Sequence, residues 1–208
     1  MYFMYKFMRA LLRPVFFVLY RPRIIGRENI PASGAAVIAG NHKHAFDPVL
    51  IDVSTKRVVR TLAKKELHDG SFGFLFRSVG TIPVDLHAAH NPEALNAAVE
   101  ALKNGELVNV SPEAKRNYTS ELLLPFKAGA SVMAQRTGAV IVPYAITGDY
   151  RFFPKHRLTV VFGKPFVYCG SVEETTRRLY GEIAALLQKT MPREEISAKH
   201  FTPFDDRS

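Results

Sequence analysis

The chain has 208 residues, 47% of them apolar, a formal net charge of +9 and a single cysteine. That length and apolar fraction supply one hydrophobic core, which argues against disorder, and a lone Cys169 excludes both an internal disulfide framework and a zinc site built from several thiolates. Nucleic acid is disfavoured as a partner because Lys6, Arg9, Arg13, Arg21, Arg23 and Arg27 all precede the first acid, Glu28, and no later basic stripe carries interleaved aromatics.

The first 20 residues, MYFMYKFMRALLRPVFFVLY, are apolar apart from Lys6, Arg9 and Arg13 and a few tyrosines. At 100° per residue the three cations fall within an arc of about 60°, so the spacing predicts a greasy helix with one basic stripe. The uncharged run from Pro14 to Tyr20 is far shorter than the roughly 20 residues of a spanning helix, and no small-residue cleavage site follows. Two readings remain. The apolar side enters a lipid boundary while the cations meet anionic headgroups, or the helix packs on its own domain with its cations solvated. The width of the apolar arc favours the first, and one cysteine suits a reducing compartment, so a peripheral position on the cytoplasmic face of a membrane is expected. The division that follows is an interfacial helical anchor, residues 1–27, and a folded domain, residues 28–208.

Beyond the YRPRIIGRENIP connection, short apolar runs alternate with helical periodicity. Residues 35–39, 81–84, 107–110, 140–146 and 158–162 read as strands. Asn91 and Pro92 read as N-cap and first residue of a helix that buries Leu95, Ala98, Val99 and Leu102 and stops before Gly105. A second helix is predicted from about Phe126 to Thr137, closed by Gly138, with Lys127 at its start and Gly129 as a tight packing point. A last one carries Val172, Thr176, Leu179, Tyr180, Ile183 and Leu187 on one side. Strands alternating with helices predict an α/β fold, a mostly parallel sheet flanked by helices in an αβα sandwich.

In such sheets ligands sit beyond the carboxyl ends of strands, and NHKHAFD, residues 41–47, follows the first predicted one. His42 and Asp47 are close enough for a turn to bring the carboxylate to one imidazole nitrogen, leaving the other as a base for a hydroxyl. Other readings compete. Asp47 before Pro48 is an N-cap signature, and the two histidines also suit a plain surface loop. Metal is disfavoured, because neither a further histidine after Asp47 nor a nearby cysteine completes a ligand set. There is no Gly-x-Ser-x-Gly elbow, and Cys169 lacks a helix-opening glycine turn, so a His–Asp pair without a nucleophile points to direct transfer onto a substrate hydroxyl.

Together with VGTIPVD (79–85), SPEAKRN (111–117) and VIVPYAITG (140–148), the NHKHAFD block resembles the glycerolipid acyltransferase family, whose best-known members convert 1-acylglycerol-3-phosphate to phosphatidic acid. AKKEL (63–67) and LLPFKAGA (123–130) support the match. The resemblance implies that 28–208 is the catalytic domain, that His42 is the general base oriented by Asp47, and that an acyl thioester on coenzyme A or acyl carrier protein is the donor, with no bound cofactor or metal. It further implies acceptor contacts from Glu113, Arg116, Lys64 and Gly80, and Lys115, beside Arg116, can add a point charge for the acceptor phosphate.

Two departures from the family pattern stand out. The acidic block, usually Glu-Gly-Thr-Arg, keeps Glu113 and Arg116 but has Ala114 and Lys115 between them. Residues after the glycine block often include an arginine, whereas Asp85 is followed here by Leu86, His87, Ala88 and Ala89. Another lyso-lipid or amphipathic alcohol as acceptor, or a non-catalytic lipid-binding relative, are the alternatives those departures leave open.

Overall fold

The computed structural model describes residues 2–88 and 91–207. Helix α1 (Phe3–Tyr20) precedes strand β1 (Arg23–Ile25), β2 (Ala36–Gly40), α2 (Asp47–Ser54) and β3 (Val59–Lys64). Two short helices, α3 (Lys65–Asp69) and α4 (Gly73–Ser78), lead to β4 (Ile82–Val84), α5 (Pro92–Lys103) and β5 (Leu107–Val110). After a long loop come α6 (Gly129–Thr137), β6 (Val140–Thr147), β7 (Thr159–Phe162), α7 (Val172–Thr190) and α8 (Arg193–Ser197).

The strands form one sheet in the order β1-β7-β6-β2-β5-β3-β4, parallel throughout except for the antiparallel β6–β7 pair. All five residues of β2 are buried, as expected of a central strand covered on both faces. Successive side chains point to opposite faces, so Val37 and Ala39 join the core beneath α5, α6 and α7, while Ala36 and Ile38 join the core containing Phe16 of α1 and Leu50, Ile51 and Val53 of α2. This is the αβα sandwich with a mostly parallel sheet that the periodicity predicts.

Local chemistry explains the helix ends. A reciprocal capping box starts α7, with the Glu174 amide donating to Ser171 Oγ at 3.1 Å and the Ser171 amide to Glu174 Oε2 at 2.7 Å. Asn91 is the N-cap of α5, but its side chain bridges the Asp85 backbone instead of capping, accepting from the Asp85 amide and donating to the Asp85 carbonyl. The helix predicted from Phe126 begins only at Gly129, where a Cβ would meet open space, so that glycine is no tight packing point.

Helix α1 runs the length of the sheet on the α2 side. Near its start Tyr5 is buried, donating to Asp52 of α2 and accepting from the Val59 amide at the beginning of β3. At its end the Tyr20 ring lies 5.7 Å from that of Tyr150, just beyond β6. The expected stripe of three cations is divided: Arg9 turns inward and donates to the Arg57 carbonyl at 2.8 Å, while Lys6 and Arg13 stay exposed. Phe3, Phe7, Leu11, Val15 and Val18, at helical spacing, form an outward apolar row, with Phe3 80% exposed. Among the described residues no helix is long and apolar enough to cross a membrane.

Candidate active site

Strand β2 ends where a side chain has no room: a Cβ on Gly40 would lie 2.2 Å from the Tyr144 ring of β6. Asn41 then continues the ladder with its side chain, donating from Nδ2 to the Ile146 carbonyl at 3.0 Å and accepting at Oδ1 from the Ile146 amide at 2.7 Å. His42 therefore leaves the carboxyl end of the central strand from a fixed point. Its amide donates to Glu113 Oε1 at 2.9 Å and its carbonyl accepts from the Asn117 amide at 3.0 Å, so the 111–124 loop grips its backbone on both sides.

His42 Nδ1 is 2.8 Å from Asp47 Oδ2, which also accepts from the amides of Lys43 at 2.7 Å and His44 at 2.8 Å. The other carboxylate oxygen, Oδ1, accepts from the Tyr150 hydroxyl at 2.6 Å. Asp47 is only 1% exposed, and four donors offset the cost of burying its charge. Its carboxylate points back into the loop, and Phe46, without a side-chain cap bond, is the N-cap of α2. Because an ionised carboxylate only accepts, the Nδ1 hydrogen belongs to the imidazole, which leaves Nε2 as the basic lone pair. The His42 side chain is about a quarter exposed (24%), enough for a substrate hydroxyl to approach. Among the described residues no cluster of three or more His, Cys, Asp or Glu is arranged to hold a metal ion.

Glu113 is turned toward the backbone. It is 4% exposed, and its two oxygens accept from the amides of His42 and, at 2.8 Å, Leu124. It holds the base from behind. Residues 111–117 form turns, not a helix. Lys115 and Arg116 are exposed on this loop, immediately before the Asn117 that binds His42, and the Arg116 guanidinium lies 5.4 Å from the Tyr118 ring centre. Among the described residues neither forms a salt bridge.

Lys64 is exposed at the carboxyl end of β3, two strands away from β2. Gly80 lies at the opposite end of β4 from Asp85. It precedes β4, its carbonyl accepts from Arg60 near the start of β3, and its φ of +75° is that of a left-handed turn. Register places Arg60 level with Val108, and Val108 level with Val37, five residues before His42. At about 3.3 Å per residue, Gly80 lies roughly 15 Å from the site along the strand direction. Leu86 is half-buried past the end of β4, and Ala89 lies outside the described residues.

The residue that sequence reasoning missed is Tyr150. Besides bonding Asp47, its ring stacks on His44 at 4.5 Å and 18°, and packs edge-on to Phe16 and Tyr20 of α1. Burial and the neighbouring Asp47 charge push its hydroxyl far above the usual tyrosine range, so it stays a proton donor to the carboxylate. The aromatic cluster thereby ties the end of α1 to the His–Asp pair.

A buried carboxylate bonded to a partly exposed histidine, at the carboxyl end of the central strand of an open, mostly parallel sheet, marks the candidate site of an α/β protein. The model of the acyltransferase family matches residues 21–147, a span that contains His42, Asp47 and Glu113 but not Tyr150. The 1-acyl-sn-glycerol-3-phosphate acyltransferase of Bacillus subtilis is 30% identical over 167 residues, covering 78% of this chain and 82% of that protein. The enzyme of the same name from Saccharomyces cerevisiae is 30% identical over 180 residues, covering 81% of this chain but 58% of the yeast protein. The crystal structure of the lysophosphatidate acyltransferase PlsC from Thermotoga maritima superposes with a TM-score of 0.70 at 25% identity, over 89% of this chain and 77% of that one. The chain belongs to the glycerolipid acyltransferase family and is an acyl-transfer enzyme.

Proposed function

We propose that the chain transfers an acyl group from a thioester, carried by coenzyme A or acyl carrier protein, to the free hydroxyl of 1-acylglycerol-3-phosphate, giving phosphatidic acid. The observation that carries this reading is His42, with Nδ1 committed to a fully bonded Asp47 and Nε2 left basic. Nε2 takes the hydroxyl proton as the alkoxide oxygen attacks the thioester carbonyl. The tetrahedral adduct collapses with cleavage of the C–S bond, and the imidazolium returns its proton to the departing thiolate. Asp47 stabilises the imidazolium while it exists. A thioester is already activated, so alignment and one base suffice without a covalent enzyme intermediate.

The acceptor phosphate falls to Arg116 and Lys115, the exposed cations on the loop that holds His42. Arg116 can bind it with two parallel donors, and Lys115 adds a point charge. The outward apolar row of α1, with Lys6 and Arg13 beside it, supports a peripheral position on an anionic membrane surface at the cytoplasmic face, where both the lipid acceptor and the transferred chain reside. The test is acyl transfer by the purified protein in mixed micelles, crossing acyl-coenzyme A and acyl carrier protein donors with lysophosphatidate, glycerol 3-phosphate and a phosphate-free monoacylglycerol. Transfer to lysophosphatidate alone supports the proposal, whereas equal use of the phosphate-free acceptor removes the phosphate clamp from it.

A further inference from the structure

The β6–β7 connection carries an exposed aromatic pair that the chemistry of acyl transfer does not use. Phe153 is 84% exposed and Phe152 48%, their rings 4.7 Å apart and perpendicular, in the stretch Arg151-Phe152-Phe153-Pro154-Lys155. The tip is held from its base: the Asp149 amide donates to the His156 carbonyl at 3.0 Å, and Arg157 Nε donates to the Arg21 carbonyl at the end of α1 at 3.0 Å. Two adjacent rings held in water on a braced loop mark a surface that meets something apolar.

Three observations identify that partner as a lipid surface. Charge comes first: Lys155 is paired with Glu194 and His156 faces Glu195, but Arg21, Arg151 and Arg157 form no salt bridge among the described residues. Shape comes second: a hollow of about 520 Å³ lies between Tyr20, Arg21 and the 152–157 segment, with the Arg21 guanidinium 5.9 Å from the Phe152 ring centre. Continuity is the third: Tyr20, at the end of α1, lines this hollow and also touches Phe46 and Tyr150, so the end of α1, the loop tip and the rim of the His42 site adjoin.

We propose that Phe152 and Phe153 form a second membrane-inserting wedge, and that the hollow beside them seats the phosphate of an anionic bilayer lipid against Arg21 and Arg157. This rests on the membrane reading of α1 and adds an independent contact to it. Two contacts on either side of the site rim fix the rotation of the protein about α1, turning His42 toward the bilayer that holds its substrate.

The sequence contains no tryptophan, so Phe153→Trp in the full chain is a sole indole reporter. With phosphatidylcholine vesicles containing phosphatidylglycerol, its emission should shift to shorter wavelength and be quenched by lipids brominated on the acyl chain. Phe152→Ser with Phe153→Ser should weaken vesicle binding by on the order of tenfold per inserted ring. Turnover of a water-soluble short-chain acceptor should be unchanged. Arg21→Gln with Arg157→Gln should reduce the preference for phosphatidylglycerol over pure phosphatidylcholine vesicles, and an unchanged preference overturns the phosphate seat. An unshifted reporter on vesicles that still carry the protein overturns the wedge and leaves α1 as the anchor. Loss of vesicle binding by Phe7→Ser with Leu11→Ser, but not by the loop double variant, overturns it as well. If the wild-type chain fails to bind vesicles at all, the membrane reading of α1 falls together with the wedge.

Discussion

At the amino end of the sheet, Tyr2 donates to Glu106, Tyr5 to Asp52, Arg9 and Arg57 to backbone carbonyls, and Arg60 to the Gly80 carbonyl while lying 3.5 Å from Glu106. At the carboxyl end, Asp47 and Glu113 are more deeply buried than Asp52 and Glu106, yet their partners are backbone amides, one tyrosine and one imidazole. Ionisable groups at the first end bond one another and close the fold. Those at the second converge on His42 and leave one of its nitrogens open. Charge alone does not separate structure from chemistry here; the difference is whether the last polar atom in the network is spent.

The largest expected effect tests that division. Replacing the proposed base, His42→Ala, should lower kcat by about three orders of magnitude, the scale of general-base catalysis, with little change in Tm. Its amino-end counterpart, Tyr5→Phe, should do the reverse. It strips a donor from buried Asp52 and an acceptor from the Val59 amide, costing about 1–3 kcal/mol of stability while kcat per folded molecule holds. Thermal melts beside steady-state kinetics decide it, and equal loss of kcat in both folded variants would erase the distinction.

A pH experiment sharpens the amino end further. Burial raises the Asp52 carboxyl from 3.8 to about 6, against the opposing pull of the Tyr5 hydroxyl and Arg9. A raised folded-state value means that the native protein holds this proton more tightly than the unfolded chain. The stabilisation is therefore fully present below about pH 4 and lost as pH rises through about 6. Asp52→Asn should accordingly match the wild type near pH 4 and gain on it up to pH 7, by at most about 3 kcal/mol. Urea unfolding at several pH values reads this out; a difference that does not change with pH would mean that Asp52 stays ionised throughout.

At the carboxyl end the corresponding subtle change is Tyr150→Phe. It keeps the ring stacked on His44 but removes one donor from Asp47. We expect kcat to fall about tenfold with KM for both substrates little altered, since one hydrogen bond to a buried charge is worth roughly 1.5–3 kcal/mol and part is recovered by relaxation. A merely structural role for Tyr150 would leave the pH–rate profile in place. A positioning role moves its acid limb to higher pH, because a carboxylate with one donor fewer holds the positively charged ring more strongly.

What the sequence revealed follows the same geography. Strands β2, β5 and β6 are buried on both faces and therefore appear as plain apolar runs, and α7 announces itself by its cap and its spacing. Strand β3, Val-Arg-Thr-Leu-Ala-Lys, went unread because Arg60 and Lys64 interrupt the pattern, and three-residue β1 was absorbed into a connection. His42 and Asp47 were legible because they are local, five positions apart. Tyr150 was not, since 103 residues separate it from Asp47 and no periodicity encodes that contact. Gly80 sits far from His42 for a related reason: a block running through a strand has two ends, and only its Asp85 end points toward the site side of the sheet.

The smallest effect concerns the loop that grips His42. Ala114 has φ +57°, one of only two non-glycine residues with positive φ among those described, and its amide closes a turn onto the Ser111 carbonyl at 3.0 Å. For a residue with a Cβ that conformation costs roughly 1–2 kcal/mol, because the methyl crowds the neighbouring carbonyl. Glycine, which the resembling family usually carries here, has no such crowding, although it loses more backbone entropy on folding. Ala114→Gly should thus stabilise the chain by about 0.5–1 kcal/mol, raising Tm by roughly 1–4 °C in a protein of this size. The glycine also relaxes the turn between Glu113, which holds the His42 amide, and Asn117, which holds its carbonyl. Those two bonds, not Ala114, position the base, so kcat should stay within a factor of about two. A destabilised Ala114→Gly protein would show that the alanine methyl makes a packing contact worth more than the backbone cost. A large change in kcat at unchanged Tm would instead place the turn itself among the groups that set the direction of the His42 ring.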